Sequence, residues 1–174
     1  GGGCGRRLEV DFVAQAVHGA AAAAGRPVQL IWTREDDMAG GYYRPTVLHK
    51  VRAGIDAKGA VVGWDHVMVG KSIMIGSPFE AMIVKNGIDA TMVEGANELP
   101  YEVADFRCEV RTAKVGVPTL WWRSVGHTHT AYAVECFIDE LLQAAGQDPV
   151  AGRRARLGQA PRRAARLKAV AEQA

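Results

Sequence analysis

Residues 118–142 read PTLWWRSVGHTHTAYAVECFIDELL, and this stretch decides the fold of the chain. A rigid approach, Val117-Pro118, leads into a polar turn, RSVG at residues 123–126, and then into an apolar-periodic segment. Gly146 fits the left-handed position that ends many helices. The stretch therefore predicts a turn that feeds a core helix over residues 127–145. The apolar residues of this helix recur at steps of three and four, the spacing of one buried face: Ala131, Val134, Ile138, Leu141, Leu142 and Ala145.

A helix that begins at such a turn presents unpaired backbone N–H groups, and its positive end favours an anion. The opening of the chain, GGGCGRR at residues 1–7, repeats the arrangement of glycines, arginines and a helical pattern. Taken alone, this opening fits a flexible turn better than a known phosphate loop, because it lacks both G-x-G-x-x-G and a Gly-Lys-Ser/Thr ending. Taken together, the two turns predict one shared anionic cofactor.

Composition narrows the class of protein. The chain has 174 residues and 18.7 kDa, which suits one domain or two small lobes. A net charge of +2 argues against a dedicated nucleic-acid binder. Three cysteines at no framework spacing predict reduced thiols, and no apolar run approaches the ~18 residues of a membrane span. Because the chain begins at Gly1 without a methionine, we expect it to be an internal fragment of a longer polypeptide.

The remaining pattern predicts an α+β fold. We expect a mostly antiparallel sheet with the 7–24 and 127–145 helices packed on it. The sheet is predicted to contain a hairpin over 46–69 and the strands 28–33 and 101–111, with a charged turn at 34–37. Residues 70–100 lack a period and predict an irregular excursion with a short helix near 78–84. Asp148 with Pro149, and Pro161, are typical of helix starts, so residues 1–146 and an arginine-rich helical segment, 147–174, are the predicted domains.

Several polar residues have ordinary structural interpretations. His127 and His129 point in different directions on a helix, so with Cys136 they do not predict a zinc site. Two questions remain open at this point. Cys4 could be a reactive thiol, and the tryptophans at 121–122 could be either a stacking platform or a packed pair. Glu135 and Asp139 lie one turn apart and predict a salt-bridge feature. The arginines after residue 147 predict a solvated face or a partner surface.

Three segments, taken in order, resemble one known family: GGGCGRRLEVDFVAQA, LIWTREDDMAGGYYRP and VPTLWWRSVGHTHTAYAVECFIDEL. They are similar to the molybdenum hydroxylases, the xanthine dehydrogenase and aldehyde oxidase family. The likeness is closest to the large subunit of isoquinoline 1-oxidoreductase-type enzymes and related bacterial aldehyde dehydrogenases. It extends from Gly1 to about Leu167.

The resemblance implies a cofactor site and a reaction. The cofactor would be molybdenum-molybdopterin, in its cytosine dinucleotide form, and the reaction would hydroxylate an aldehyde or N-heterocycle with water as oxygen source. Electrons would pass to [2Fe-2S] clusters on a small iron–sulfur partner subunit. The cofactor-binding positions would lie in the two turns: Gly3, Cys4, Gly5, Trp122, Arg123 and Ser124.

This sequence departs from the family pattern at a few positions. Cys4 stands where the family has phenylalanine. Leu8 and Val125 stand where purine-oxidising members hold substrate, so the resemblance places them in a substrate pocket for a molecule other than xanthine. The family's catalytic glutamate belongs to a later segment, so we expect no catalytic residue here, no side-chain metal ligand, and an inactive isolated fragment. Relatives occur in bacterial cytoplasm and periplasm. The alternative is a non-catalytic interaction domain that docks a protein partner through its basic C-terminal helices.

Overall fold

The computed structural model describes residues 3–173, which form two units. The first unit combines the chain up to Pro45 with Val115–Arg123. The second unit combines Thr46–Lys114 with the chain from Ser124 onward. The predicted boundary at residue 146 stays a prediction, and Gly1 and Gly2 of the predicted opening turn lie outside the described residues.

The first unit contains two helices. A 3₁₀ turn, Arg6–Leu8, precedes α1, Asp11–Ala22. The helix expected over 7–24 is therefore present but begins later, because the residue after the 3₁₀ turn, Glu9, is extended. The Arg6 guanidinium then reaches forward to the Asp11 carboxylate at the start of α1.

The strand expected at residues 28–33 is wrong. These residues form no strand in the described structure, because β-branched side chains favour extended backbone but a strand also needs a ladder partner. The charged turn expected next is also wrong, since it opens α2, Arg34–Gly40. Thr33 caps this helix: its side chain accepts from the Asp36 N–H, and the Asp36 carboxylate accepts from the Thr33 N–H.

The second unit is built on the predicted hairpin, which is confirmed. Strand β1, Val47–Ile55, pairs antiparallel with β2, Val61–Gly70. The Asp56 carboxylate closes the turn by accepting the backbone N–H groups of Lys58 and Ala60 at 2.9 and 2.8 Å. This is the local bonding that aspartate provides in turns.

The third strand corrects the predicted sheet. β5, Asp105–Thr112, pairs with β2 in parallel, so the sheet order is β1-β2-β5 and only one of its two pairings is antiparallel. The α+β class is confirmed, and the antiparallel expectation holds only in part. Parallel strands need a long crossover. The excursion after β2 supplies it, and contains α3, Glu80–Ile83, and a small antiparallel ladder of β3, Val84–Lys85, with β4, Ile88–Asp89.

Helix α4, His127–Ala144, supplies the main apolar face of this core. Val134, Ile138, Leu141 and Leu142 are buried as predicted, whereas Thr130 is buried in place of Ala131 and Ala145 is only partly buried. Gly146 has φ 65, the predicted left-handed helix end. The buried cluster comprises Val61, Trp64, Met68, Ala96, Tyr101, Val134, Ile138, Leu141, Leu142 and Leu157.

Two further helices follow, α5, Pro149–Ala155, and α6, Pro161–Ala171. The Asp148 carboxylate caps α5 as predicted. Two of the arginines expected to be solvated make contacts within the fold instead. Arg153 forms salt bridges with Glu135 and Asp139, and Arg156 is buried. The salt-bridge role predicted for the acidic pair is confirmed, and the basic surface is smaller than expected. Among the described residues, no helix combines the length and apolar character that a bilayer crossing requires.

Candidate functional site

Within the first unit, the first predicted turn meets the residue that opens the second, Arg123. The backbone N–H of Arg123 donates to the carbonyl oxygen of Cys4 at 2.8 Å. Gly5 follows with φ 92, and a Cβ atom there would overlap the carbonyl oxygen of Trp121. Only glycine allows the two turns to approach this closely. The structure thus joins Cys4 and Arg123, as the sequence predicted.

The second turn is held by a short backbone ladder. The Tyr43 N–H donates to the Pro118 carbonyl at 3.0 Å, and the Leu120 N–H donates to the Tyr43 carbonyl at 3.2 Å. One nitrogen of the Arg44 guanidinium donates to the Arg123 carbonyl at 3.1 Å. The segment GGYYRP therefore positions the second turn, a role that sequence reasoning missed.

The two arginines after the first turn, Arg6 and Arg7, differ in their contacts and exposure. Arg6 makes a bidentate pair with Asp11 at 2.8 and 2.7 Å and lies 5.4 Å from the ring centroids of Phe12 and Tyr42. The Asp11 hydrogen bond raises the pKa of Arg6, and the Arg6 hydrogen bond lowers the pKa of Asp11. The Arg6 side chain therefore makes its contacts within the fold, while Arg7 is exposed.

Strained backbone marks both turns. Cys4 of the first unit has φ 49, and Ser124 and Val125 of the second unit have φ 73 and 41. A β-branched residue such as valine rarely adopts positive φ, and such strain concentrates at ligand sites. Turn backbone can present N–H groups to an anion, and the N–H that follows Val125, that of Gly126, binds the Glu94 carboxylate.

In the second unit, residues 90–95 hold the start of α4. The Glu94 carboxylate accepts from the Gly126 N–H at 3.1 Å and lies 3.4 Å from His127 Nδ1. The Thr130 hydroxyl donates to the Glu94 carbonyl at 2.6 Å, and a Cβ on Gly126 would overlap the Thr91 carbonyl. These contacts hold the strained Ser124-Val125 backbone in place. No motif in the sequence predicted them.

The other predicted site residues have simpler placements. Cys4 is exposed, Trp122 is partly buried and Trp121 is buried. Leu8 is exposed and Val125 is partly buried, in the first and second unit respectively. Their assignment to a substrate pocket stays a prediction.

No side-chain metal site is present in the chain from residue 3 to residue 173: no group of three or more His, Cys, Asp or Glu side chains is arranged to hold an ion. His129 instead approaches His49 and His66, a cluster that sequence reasoning missed. The signal was available, because His49 alternates in phase with the apolar residues of β1.

The geometry fits an anionic cofactor held by backbone rather than by side chains. Gly5 leaves no Cβ at the meeting of the turns, and the left-handed residues lie beside that meeting in the sequence. Glycine-bearing turns with exposed backbone amides are typical of sites for phosphate and oxo groups.

Comparison with known proteins agrees with this geometry. The family described as molybdopterin cofactor-binding domain matches residues 1–157. Membrane-bound aldehyde dehydrogenase [pyrroloquinoline-quinone] from Gluconacetobacter polyoxogenes is 32% identical over 155 residues, 86% of this chain and 20% of that protein. Isoquinoline 1-oxidoreductase subunit beta from Brevundimonas diminuta is 29% identical over 173 residues, 99% of this chain and 22% of that protein.

The fold recurs in a solved structure, the aldehyde oxidoreductase from Desulfovibrio gigas. It has a TM-score of 0.67 at 22% identity, over 90% of this chain and 16% of that chain. The present chain thus spans about a fifth of the length of the relatives it matches. The match over residues 1–157 shows that the chain belongs to the molybdopterin cofactor-binding domain family.

Proposed function

We propose that this chain forms part of the cofactor site of a larger molybdenum-dependent oxidoreductase. That enzyme would hydroxylate an aldehyde or an N-heterocycle with water as the oxygen source. The observation that carries the proposal is the hydrogen bond between Arg123 and Cys4, which brings two glycine-bearing turns together. The names of the two relatives, an aldehyde dehydrogenase and an isoquinoline oxidoreductase, support the two substrate classes.

We place the cofactor-binding positions at Gly3, Cys4, Gly5, Trp122, Arg123 and Ser124, where backbone N–H groups other than that of Arg123, which bonds Cys4, would hold the cofactor. When bound, molybdopterin supplies a metal centre for two-electron oxidation. We expect its cytosine dinucleotide form, and a small iron–sulfur subunit with [2Fe-2S] clusters as the electron-accepting partner. Leu8 and Val125 would face the substrate. The catalytic carboxylate that accepts the proton would come from another part of the enzyme.

Elemental and cofactor analysis of the purified full-length enzyme tests this proposal. We expect about one molybdenum and one pterin per large subunit, with oxidation of aldehydes or N-heterocycles by an artificial acceptor. One relative is named for pyrroloquinoline quinone. Recovery of that quinone in place of molybdenum would overturn the proposal. The 174-residue chain alone is expected to show no turnover, and turnover by it would refute the expectation that the fragment is inactive.

Gly5→Ala in the full-length enzyme is expected to lower molybdenum and pterin content at least tenfold. The new methyl group would overlap the Trp121 carbonyl, and φ 92 disfavours any side chain, so the two turns would separate. The measurement is molybdenum per subunit by mass spectrometry.

Gly25→Ala is the matched control. Gly25 also has positive φ, 84, but a Cβ there would meet nothing within 4 Å. We expect the control to lose stability slightly and to keep its cofactor. Equal molybdenum content in the wild type and the Gly5→Ala variant would show that close approach of the turns is unnecessary.

A further inference from the structure

Three histidines of the second unit form a hydrogen-bonded chain. His49 of β1 lies in the middle, with its Nδ1 2.8 Å from His66 Nε2 and its Nε2 3.0 Å from His129 Nδ1. Neighbouring ring centroids are 5.1 and 5.0 Å apart. The histidine chain (His49, His66 and His129) thus links β1, β2 and the first turn of α4. Since each contact uses a different nitrogen of His49, the three rings do not converge on one point where an ion could sit.

The geometry fixes where protons can reside. Each nitrogen–nitrogen contact holds one proton, and the outer nitrogens, His66 Nδ1 and His129 Nε2, can hold one each. The histidine chain therefore has four proton positions, and three neutral imidazoles fill three of them.

The vacant position is His66 Nδ1. His66 is fully buried, and this nitrogen has no hydrogen-bond partner in the described part of the chain. A buried N–H without an acceptor costs more than an unused lone pair. The neutral chain therefore runs in one direction, with His66 donating to His49 and His49 donating to His129.

We propose that the histidine chain is a binding site for a single proton shared among three rings. One added proton fills His66 Nδ1, keeps both contacts and lets the positive charge move between the rings. A second added proton has no position left except inside a contact, where two N–H groups would face each other. The folded protein thus takes up one proton at this site and excludes the second.

The pKa shifts of the surrounding groups agree with a limit of one added proton. Burial first, then the neighbouring His49 and His129, lower the pKa of His66 to about 4, while the Asp65 carboxylate opposes this shift. Burial also lowers the pKa of His49. From β5, the side chain paired with His66 is Cys108, whose pKa burial raises, so it brings no charge. A lowered folded pKa means that the unfolded state binds more protons, so stability is complete above pH 6.5 and falls as pH decreases toward 4.

Nitrogen-15 NMR of the histidine side chains, from pH 7 to pH 4, tests the proposal on the folded chain. We expect the summed protonation of the three rings to rise as the pH falls but never to exceed one until the protein unfolds. Full protonation of two of the three rings in the folded state would overturn the proposal, as would three independent titrations with no change in tautomer.

Denaturant unfolding across the same pH range gives a second readout. Where the three histidines are protonated in the unfolded state and the folded state holds at most one proton, the histidine chain should raise the unfolding constant at least about 100-fold per pH unit. His49→Gln is expected to reduce this rise at least tenfold, because only two of the three rings then remain to be protonated in the unfolded state. The exposed His18→Gln variant, which keeps all three rings of the histidine chain, is the matched control. An unchanged slope in His49→Gln would count against the shared site.

Discussion

Ile138→Ala is expected to lower the free energy of unfolding by about 2–5 kcal/mol, the usual range for emptying a packed core position. Ile138 is 1% exposed and lies in the middle of the apolar face of α4, among the side chains that close over the sheet. Removing its side chain loses transfer free energy and leaves a cavity. Urea unfolding followed by circular dichroism measures the change.

Tyr132→Ala is the control on the same helix. Tyr132 is 74% exposed, so its replacement should change the free energy of unfolding by less than about 0.5 kcal/mol. If the two variants were equally stable, α4 would not be the element on which the core is built.

The sequence predicted those elements whose signal is local and periodic. The apolar spacing of α4, the aspartate of the hairpin turn at Asp56 and the proline starts of α5 and α6 each depend on residues close together in the chain. The exception within α4 is Thr130, which is buried because its hydroxyl bonds the Glu94 carbonyl, 36 residues away. A hydrophobicity pattern contains no information about such a partner.

The failures have the same origin. Residues 28–33 have strand-forming side chains, but no ladder partner lies beside them in the described structure. The direction of β5 depends on the path of the excursion before it, which has no periodic signal. Arg156 looked like a surface residue, yet its guanidinium donates to the Gly152 carbonyl and to Gln147 inside the fold.

The candidate site was predicted in part. The meeting of Cys4 and Arg123 followed from two similar glycine turns, each with a mechanism for binding an anion. The supports of those turns were not predicted, because Tyr43 acts through its backbone and the Glu94 carboxylate binds a distant backbone N–H, and no spacing rule describes such contacts. The same holds for the histidine chain, whose members are far apart in the sequence.

Gly126→Ala is expected to cost about 3 kcal/mol of unfolding free energy and to loosen the start of α4. Gly126 has ordinary helical angles, φ −65 and ψ −34, so alanine meets no backbone strain there. The cost comes from space alone: the added methyl group would overlap the Thr91 carbonyl and press on the Glu94 side chain. Overpacking against backbone is poorly relieved, which places the effect at the upper end of the usual ~1–3 kcal/mol.

Gly63→Ala isolates this effect within the same unit, because the nearest atom to a Cβ there is the Asp105 carbonyl oxygen at 4.0 Å. That control should change stability by less than about 1 kcal/mol. The amide of residue 126 should exchange faster in Gly126→Ala, since moving Glu94 away breaks the bond from that N–H to the Glu94 carboxylate. Unchanged exchange together with wild-type stability would mean that residues 90–95 do not brace α4, and that the left-handed geometry of Ser124 and Val125 is maintained without them.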